Sequence, residues 1–198
     1  MYTADYNAQP KSFEAAWKLA RACYWIGNHA PTEKERKKAL DQGIDVGRKA
    51  AALEPKRPEG HFWLAANMGT MAEAAGLTAG LKYRGTIKSE LETVLKIDPA
   101  FMDGSADRAL GRWYFKVPRL FGGSNKTAEK HLRASLQRAP DSTVSHFFLA
   151  EVLIDEDRTA EARTELQKVI DAPYNPDWAP EDEDYKHRAR TLLATLKK

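Results

Sequence analysis

Apolar and small residues recur through this chain at intervals of three and four, the period of a helix with one buried face. Leu149, Ala150 and Leu153, then Ala162, Leu166 and Val169, show it most plainly. The pattern predicts helices over 11–29, 33–54, 58–75, 81–97, 102–117, 125–138, 143–155 and 158–171, with a last one opening at Glu181. The breaks between them carry helix-ending or helix-starting signals. Thr32-Glu33-Lys34-Glu35 reads as an N-terminal capping sequence. The run from Gly76 to Gly80 turns the third helix into the fourth, and Pro118 stops the fifth. Gly122-Gly123-Ser124-Asn125 leads into the sixth, and 175–180 is an extended connector. The final helix begins with Glu181-Asp182-Glu183-Asp184 and ends in Lys197-Lys198, charges that offset the helix dipole at both ends.

These helices pair into a repeat. Pro55, Pro99, Pro140 and Pro173 close four helical stretches at spacings of 44, 41 and 33. A leucine followed by a small residue lies upstream of each, at Leu19-Ala20, Leu64-Ala65, Leu110-Gly111 and Leu149-Ala150. The two series alternate strictly, so each unit reads as two antiparallel helices. The small residue lets them approach, which puts Gly111 at a close crossing. This resembles the tetratricopeptide repeat. The leucine-to-proline distances of 36, 35, 30 and 24 make the last unit the ordinary one and the first three longer. The expected fold is all-α, a tetratricopeptide-like stack of four helix pairs plus a C-terminal capping helix. Residues 1–10 would be a tail and 11–198 a single domain.

Composition agrees with helix and removes several functions. Alanine occurs 30 times and leucine 18 times, against 12 for valine and isoleucine together. No apolar run is long enough to cross a membrane, and no charged-then-apolar leader opens the chain. Net charge is +3, and the two halves carry 15 basic with 12 acidic residues and 16 of each. Neither half is a basic arm, which argues against a nucleic-acid partner. The single Cys23 excludes an internal disulfide and a thiolate zinc site, and is expected to be a small buried hydrophobe.

No chemistry assembles. Gly122 to Thr127 superficially suggests a phosphate loop, but the glycine spacing is wrong and no strand precedes it. The histidines at 29, 61, 131, 146 and 187 show no helical metal pair. His61 and His146 each stand three residues before a leucine-small pair, a repeated position that favours packing or an interhelical hydrogen bond over catalysis. The carboxylates are scattered. The expectation is therefore a protein that is not an enzyme, with no catalytic residues, no metal and no cofactor.

The first helices of the units carry what remains. Trp17, Arg21, Tyr24, Trp25 and Phe62 would make an inward face aromatic toward its first half, and Arg108, Arg112 and Lys116 would make it cationic at the third unit. Such a groove suits an amphipathic organic anion or a partner's peptide. The competing reading is equally physical: aromatics at helical spacing form interhelix core, and the arginines pair with acids such as Glu151.

The runs Glu59-Gly60-His61-Phe62-Trp63-Leu64-Ala65, Ala109-Leu110-Gly111-Arg112-Trp113-Tyr114-Phe115-Lys116-Val117-Pro118 and Phe121-Gly122-Gly123 are more distinctive than a generic repeat. They resemble the T component of tripartite ATP-independent periplasmic (TRAP) transporters. They are also similar to the repeat domain of the regulator-of-microtubule-dynamics proteins. The first resemblance implies a periplasmic or membrane-associated lipoprotein that assembles with a solute-binding subunit. The alternative is an intracellular scaffold that binds a partner's peptide; the residues leave a cytoplasmic location and self-association open.

Overall fold

The structure, a computed structural model, describes residues 2–173 and 179–196. Among them every regular element is a helix. The contacts group into two compact units, 1–101 and 102–198. The expected connector at 175–180 falls mostly outside the described residues, as do Lys197 and Lys198.

In the first unit, α1 (Tyr2–Ala8) replaces the expected tail. Tyr6 is its buried residue, and Lys49 Nζ donates to the Tyr6 hydroxyl at 2.9 Å. Helices α2 (Phe13–His29) and α3 (Glu33–Leu53) form the first pair. Ser12 caps α2 and Thr32 caps α3, each hydroxyl accepting a backbone N–H three residues on. Helix α4 (Pro58–Ile97) is interrupted at Gly76, whose φ of 80° and ψ of −174° no helix contains. That one residue turns α4 into two arms, and His61 on the first meets Glu90 on the second. The turn expected over 76–80 thus falls on its first glycine. The core is Leu19, Ala20, Leu40, Ile44, Leu64, Met68, Leu91 and Val94. Close approach is severe at Gly60, where an added Cβ would stand 2.5 Å from the Ala51 backbone nitrogen.

The second unit begins with a departure. Helix α5 (Phe101–Lys116) opens on three left-handed residues, Met102, Asp103 and Gly104, with φ of 45°, 56° and 76°. The helix expected from 102 is therefore regular only after Gly104. At Gly104 an added Cβ would meet Arg138 and the Ser135 backbone at 3.1 and 3.3 Å. A 3-10 turn at Arg119–Phe121 joins α5 to α6 (Asn125–Arg138). Then come α7 (Thr143–Asp155), α8 (Thr159–Asp171) and α9 (Ala179–Thr195). Ala128, Leu132, Leu149, Leu153, Leu166 and Val169 form one core, and Ala189, Tyr185 and Leu192 of α9 pack against it. Helix α9 is fastened by polar contacts too. The Thr143 hydroxyl donates to Asp182 at 2.6 Å, Lys186 donates to the Ala172 carbonyl at 2.8 Å, and Arg163 donates to the Leu196 carbonyl. It covers α7 and α8 as a terminal helix of a repeat must.

One polar position repeats. His61, Asp107 and His146 each stand three residues before a leucine-small pair, and each meets a partner on the returning arm: Glu90, His131 and Glu165. The separations are 2.5, 2.7 and 2.5 Å. In the first pair of helices the same places hold Ala16 and Val46, both buried. His61 and His146 also face a carbonyl six residues back, Pro55 at 3.1 Å and Pro140 at 2.7 Å. A neutral imidazole donates through one nitrogen only; donating to both acceptors takes the charged ring. At His61 the Glu90 bond raises the pKa, burial opposes it, and the Pro55 carbonyl adds to the rise.

Candidate functional site

Five candidate residues lie in the first unit and three in the second. On α2, Phe13, Ala16, Leu19, Ala20, Cys23 and Gly27 are buried, which turns the arc of Trp17, Arg21 and Trp25 outward. Cys23 is the expected buried hydrophobe, and burial pushes its thiol up to about 11. Trp17 is half-buried, and its indole N–H donates to Glu14 at 3.0 Å. The Lys18 ammonium and the Arg21 guanidinium each lie 5.5 Å from the Trp17 ring centroid, within cation–π range. Lys18 also pairs with Glu14 at 3.2 Å, whereas Arg21 is exposed and has no ion pair among the described residues. Four residues further, Trp25 is 52% exposed and stacks on His29 with centroids 4.3 Å apart. The His29 contact was not read from the sequence; its spacing of four from Trp25 was the available signal.

The other aromatics of this unit go inward. Phe62 is 7% exposed, edge-on to Trp63 and Phe101 at 5.0 and 5.6 Å. It is core, which corrects the expectation that it lines an open face. Tyr24 is half-buried and leans on Trp63 at 5.5 Å.

In the second unit the cationic stripe meets its acid. Arg112 Nη1 donates to Glu151 at 2.5 Å, and Lys116 Nζ stands 3.8 Å from the same carboxylate. The Arg112 guanidinium also lies 4.5 Å from the Phe148 ring centroid. Arg112 and Glu151 therefore form a largely buried pair, as the competing reading of the stripe expects. Arg108 is half-buried. The same unit holds a carboxylate hub: Arg158 donates to Glu129, Glu156 and Glu161 at 2.7, 3.1 and 2.7 Å. These bonds lower Glu129 despite its burial and raise Arg158. No group of three or more histidine, cysteine, aspartate or glutamate side chains among the described residues is placed to hold a metal. The Gly122–Thr127 turn is built as a helix start, with Gly122 left-handed and Ser124 capping α6.

Antiparallel helix pairs closed by proline and sealed by a terminal helix define a tetratricopeptide-type helical repeat protein. A solved thermophilic tetratricopeptide protein of Thermus thermophilus shares this fold at 21% identity and a TM-score of 0.72, over 98% of this chain and 87% of that one. Residues 123–186 match the tetratricopeptide repeat. Residues 1–130 match the family described as regulator of microtubule dynamics protein 1-3, and the chain belongs to that family. No curated protein matches it significantly. Of the two resemblances read from the sequence, these matches carry this one; the T-component resemblance rests on the sequence runs alone.

Proposed function

We propose that the protein is a non-enzymatic scaffold that binds a protein partner on the outward arc of α2. Arg21 carries the reading: an exposed cation with no acid partner among the described residues, one turn from Trp17 on one side and from Trp25 on the other. Aromatic faces flanking an unneutralised guanidinium suit an acidic peptide that also carries an apolar side chain. Repeats of this class generally mediate protein–protein contact, which supports the partner class. The solute-binding subunit of a transporter is the partner favoured by the Leu110-to-Tyr114 run; a peptide of an intracellular protein is the other.

The test titrates the protein with acidic peptides ending in leucine and reads tryptophan fluorescence. Saturable quenching, weakened about tenfold in Arg21→Gln, is expected. Equal affinity in folded Arg21→Gln and in Trp25→Ala would overturn this site.

A further inference from the structure

We propose that the turn between α5 and α6 is a membrane-docking tip: Leu120 enters the interfacial layer of a bilayer whose anionic headgroups pair with Arg119 and Lys126. Leu120 is 87% exposed, more than any other large apolar side chain among the described residues. The turn is fixed by its own backbone. The N–H groups of Phe121 and Gly123 both donate to the Pro118 carbonyl, at 2.8 and 3.2 Å, and Ser124 N–H donates to the Tyr114 carbonyl at 2.8 Å. Gly122 has φ of 105°, and a Cβ on Gly123 would collide with the Val117 carbonyl oxygen. A turn this constrained cannot tuck Leu120 back toward the helices, so the side chain stays in solvent until something covers it.

The charge pattern says what covers it. Residues 116–126 contain Lys116, Arg119 and Lys126 and no acid. Arg119 and Lys126 are exposed and make no ion pair among the described residues. The acids that reach the turn from α7 are engaged: Glu151 with Arg112 and Lys116, and Asp155 with the Asn125 amide at 2.6 Å. An anionic surface is the complement of what remains. A bilayer fits better than a folded acidic protein, because a stable protein contact covers roughly 800 Å² on each side. A three-residue turn whose exposed apolar side chains are Leu120 and, to a smaller extent, Phe121 offers far less. At a lipid interface, apolar insertion and the attraction of cations to anionic headgroups add to a reversible attachment, and neither needs a matching pocket. Attachment of this kind is peripheral; no helix among the described residues is long and apolar enough to cross a membrane.

The test sediments the full chain with vesicles of phosphatidylcholine alone and of phosphatidylcholine with phosphatidylserine. Binding to the anionic vesicles is expected, with Leu120→Ser weakening it at least about fivefold. Arg119→Gln and Lys126→Gln should weaken it by about fivefold each. Lys34→Gln with Lys38→Gln, exposed cations elsewhere, should leave it near the parent level. An unchanged melting curve for Leu120→Ser shows that its loss of binding is local. Absence of binding to anionic vesicles overturns the proposal. So does binding unaffected by Leu120→Ser, which would be adsorption by net charge. A soluble acidic protein whose affinity depends on Leu120, in the absence of vesicle binding, replaces the bilayer with a protein surface.

Discussion

Glu90 accepts a hydrogen bond from His61 at 2.5 Å across the two arms of α4, and the same register holds Asp107 with His131 in the next pair, the residue types exchanged. The last three units thus keep a pair of opposite charge tendency at this position without keeping which arm supplies the acid.

This arrangement makes stability depend on pH in a definite direction. The folded pKa of His61 lies above its unfolded value, because Glu90 favours the charged ring more than burial disfavours it. Its contribution is therefore complete below the ordinary histidine range and fades as pH rises through the folded value. Urea unfolding of the parent and of His61→Gln should differ by about 1–3 kcal/mol in mild acid, and the gap should narrow toward alkaline pH. A gap that widens with pH would contradict it.

Glu165 acts at the other limb. Burial alone would raise its carboxyl, but the hydrogen bonds from His146 and Lys168 outweigh that and hold it below the usual range. Its contribution is present above the ordinary carboxylate range and is lost as pH falls through the folded value. Glu165→Gln should flatten the acid side of the stability profile measured by calorimetry.

Gly111 tests the helix crossing. An added Cβ would stand 2.5 Å from Leu132 Cγ and 3.2 Å from the Ala128 carbonyl. Gly111→Leu should cost about 1–3 kcal/mol and lower the melting temperature. Gly60→Ala should cost at least as much, since the obstruction there is the backbone of Ala51 and Ala50, which cannot rotate away.

Arg112 and Glu151 should behave as one unit. Arg112→Gln leaves a mostly buried carboxylate without its guanidinium, and Glu151→Gln does the reverse. The double variant should be more stable than the two single losses predict, with a coupling of about 1–3 kcal/mol in a double-mutant cycle. Additive losses would mean that the pair carries no energy of its own.

Asp182 latches the terminal helix. Asp182→Ala removes the acceptor of the Thr143 hydroxyl and should speed hydrogen exchange across α9 before it affects α3.

The helical pairs were legible because proline and the leucine-small pairs punctuate the sequence at regular distances, and those signals are local. Gly111 was legible for the same reason. Gly60 was not, since only the position of α3 makes it tight. The left-handed run at Met102, Asp103 and Gly104 is marked only by Asp103-Gly104, residue types that adopt positive φ more readily than others; Met102 carries no such signal. For the candidate site, spacing on one helix placed Trp17, Arg21 and Trp25 on one arc. It could not say that Phe62 turns inward, because an aromatic at helical spacing looks the same on either face. Glu151 lies 39 residues from Arg112, and the sequence offered it only as one of two alternatives. Asp107 breaks the histidine pattern of His61 and His146, although its place before Leu110-Gly111 marks it as their counterpart.

The exchange of residue types in the middle pair also bears on how the chain avoids assembling out of order. Arms of similar length and apolar pattern could pair with the wrong neighbour during folding, a recognised failure of repeat proteins. If the first arm of α4 took α6 as its partner, His61 would face His131. If α5 took the returning arm of α4, or α8, Asp107 would face Glu90 or Glu165. Each such mispairing sets two groups of the same kind together at the depth where the correct partner is a complement. Across the last three pairs, alternation therefore works as a parity check, which disfavours a shift by one repeat at a position shielded from solvent.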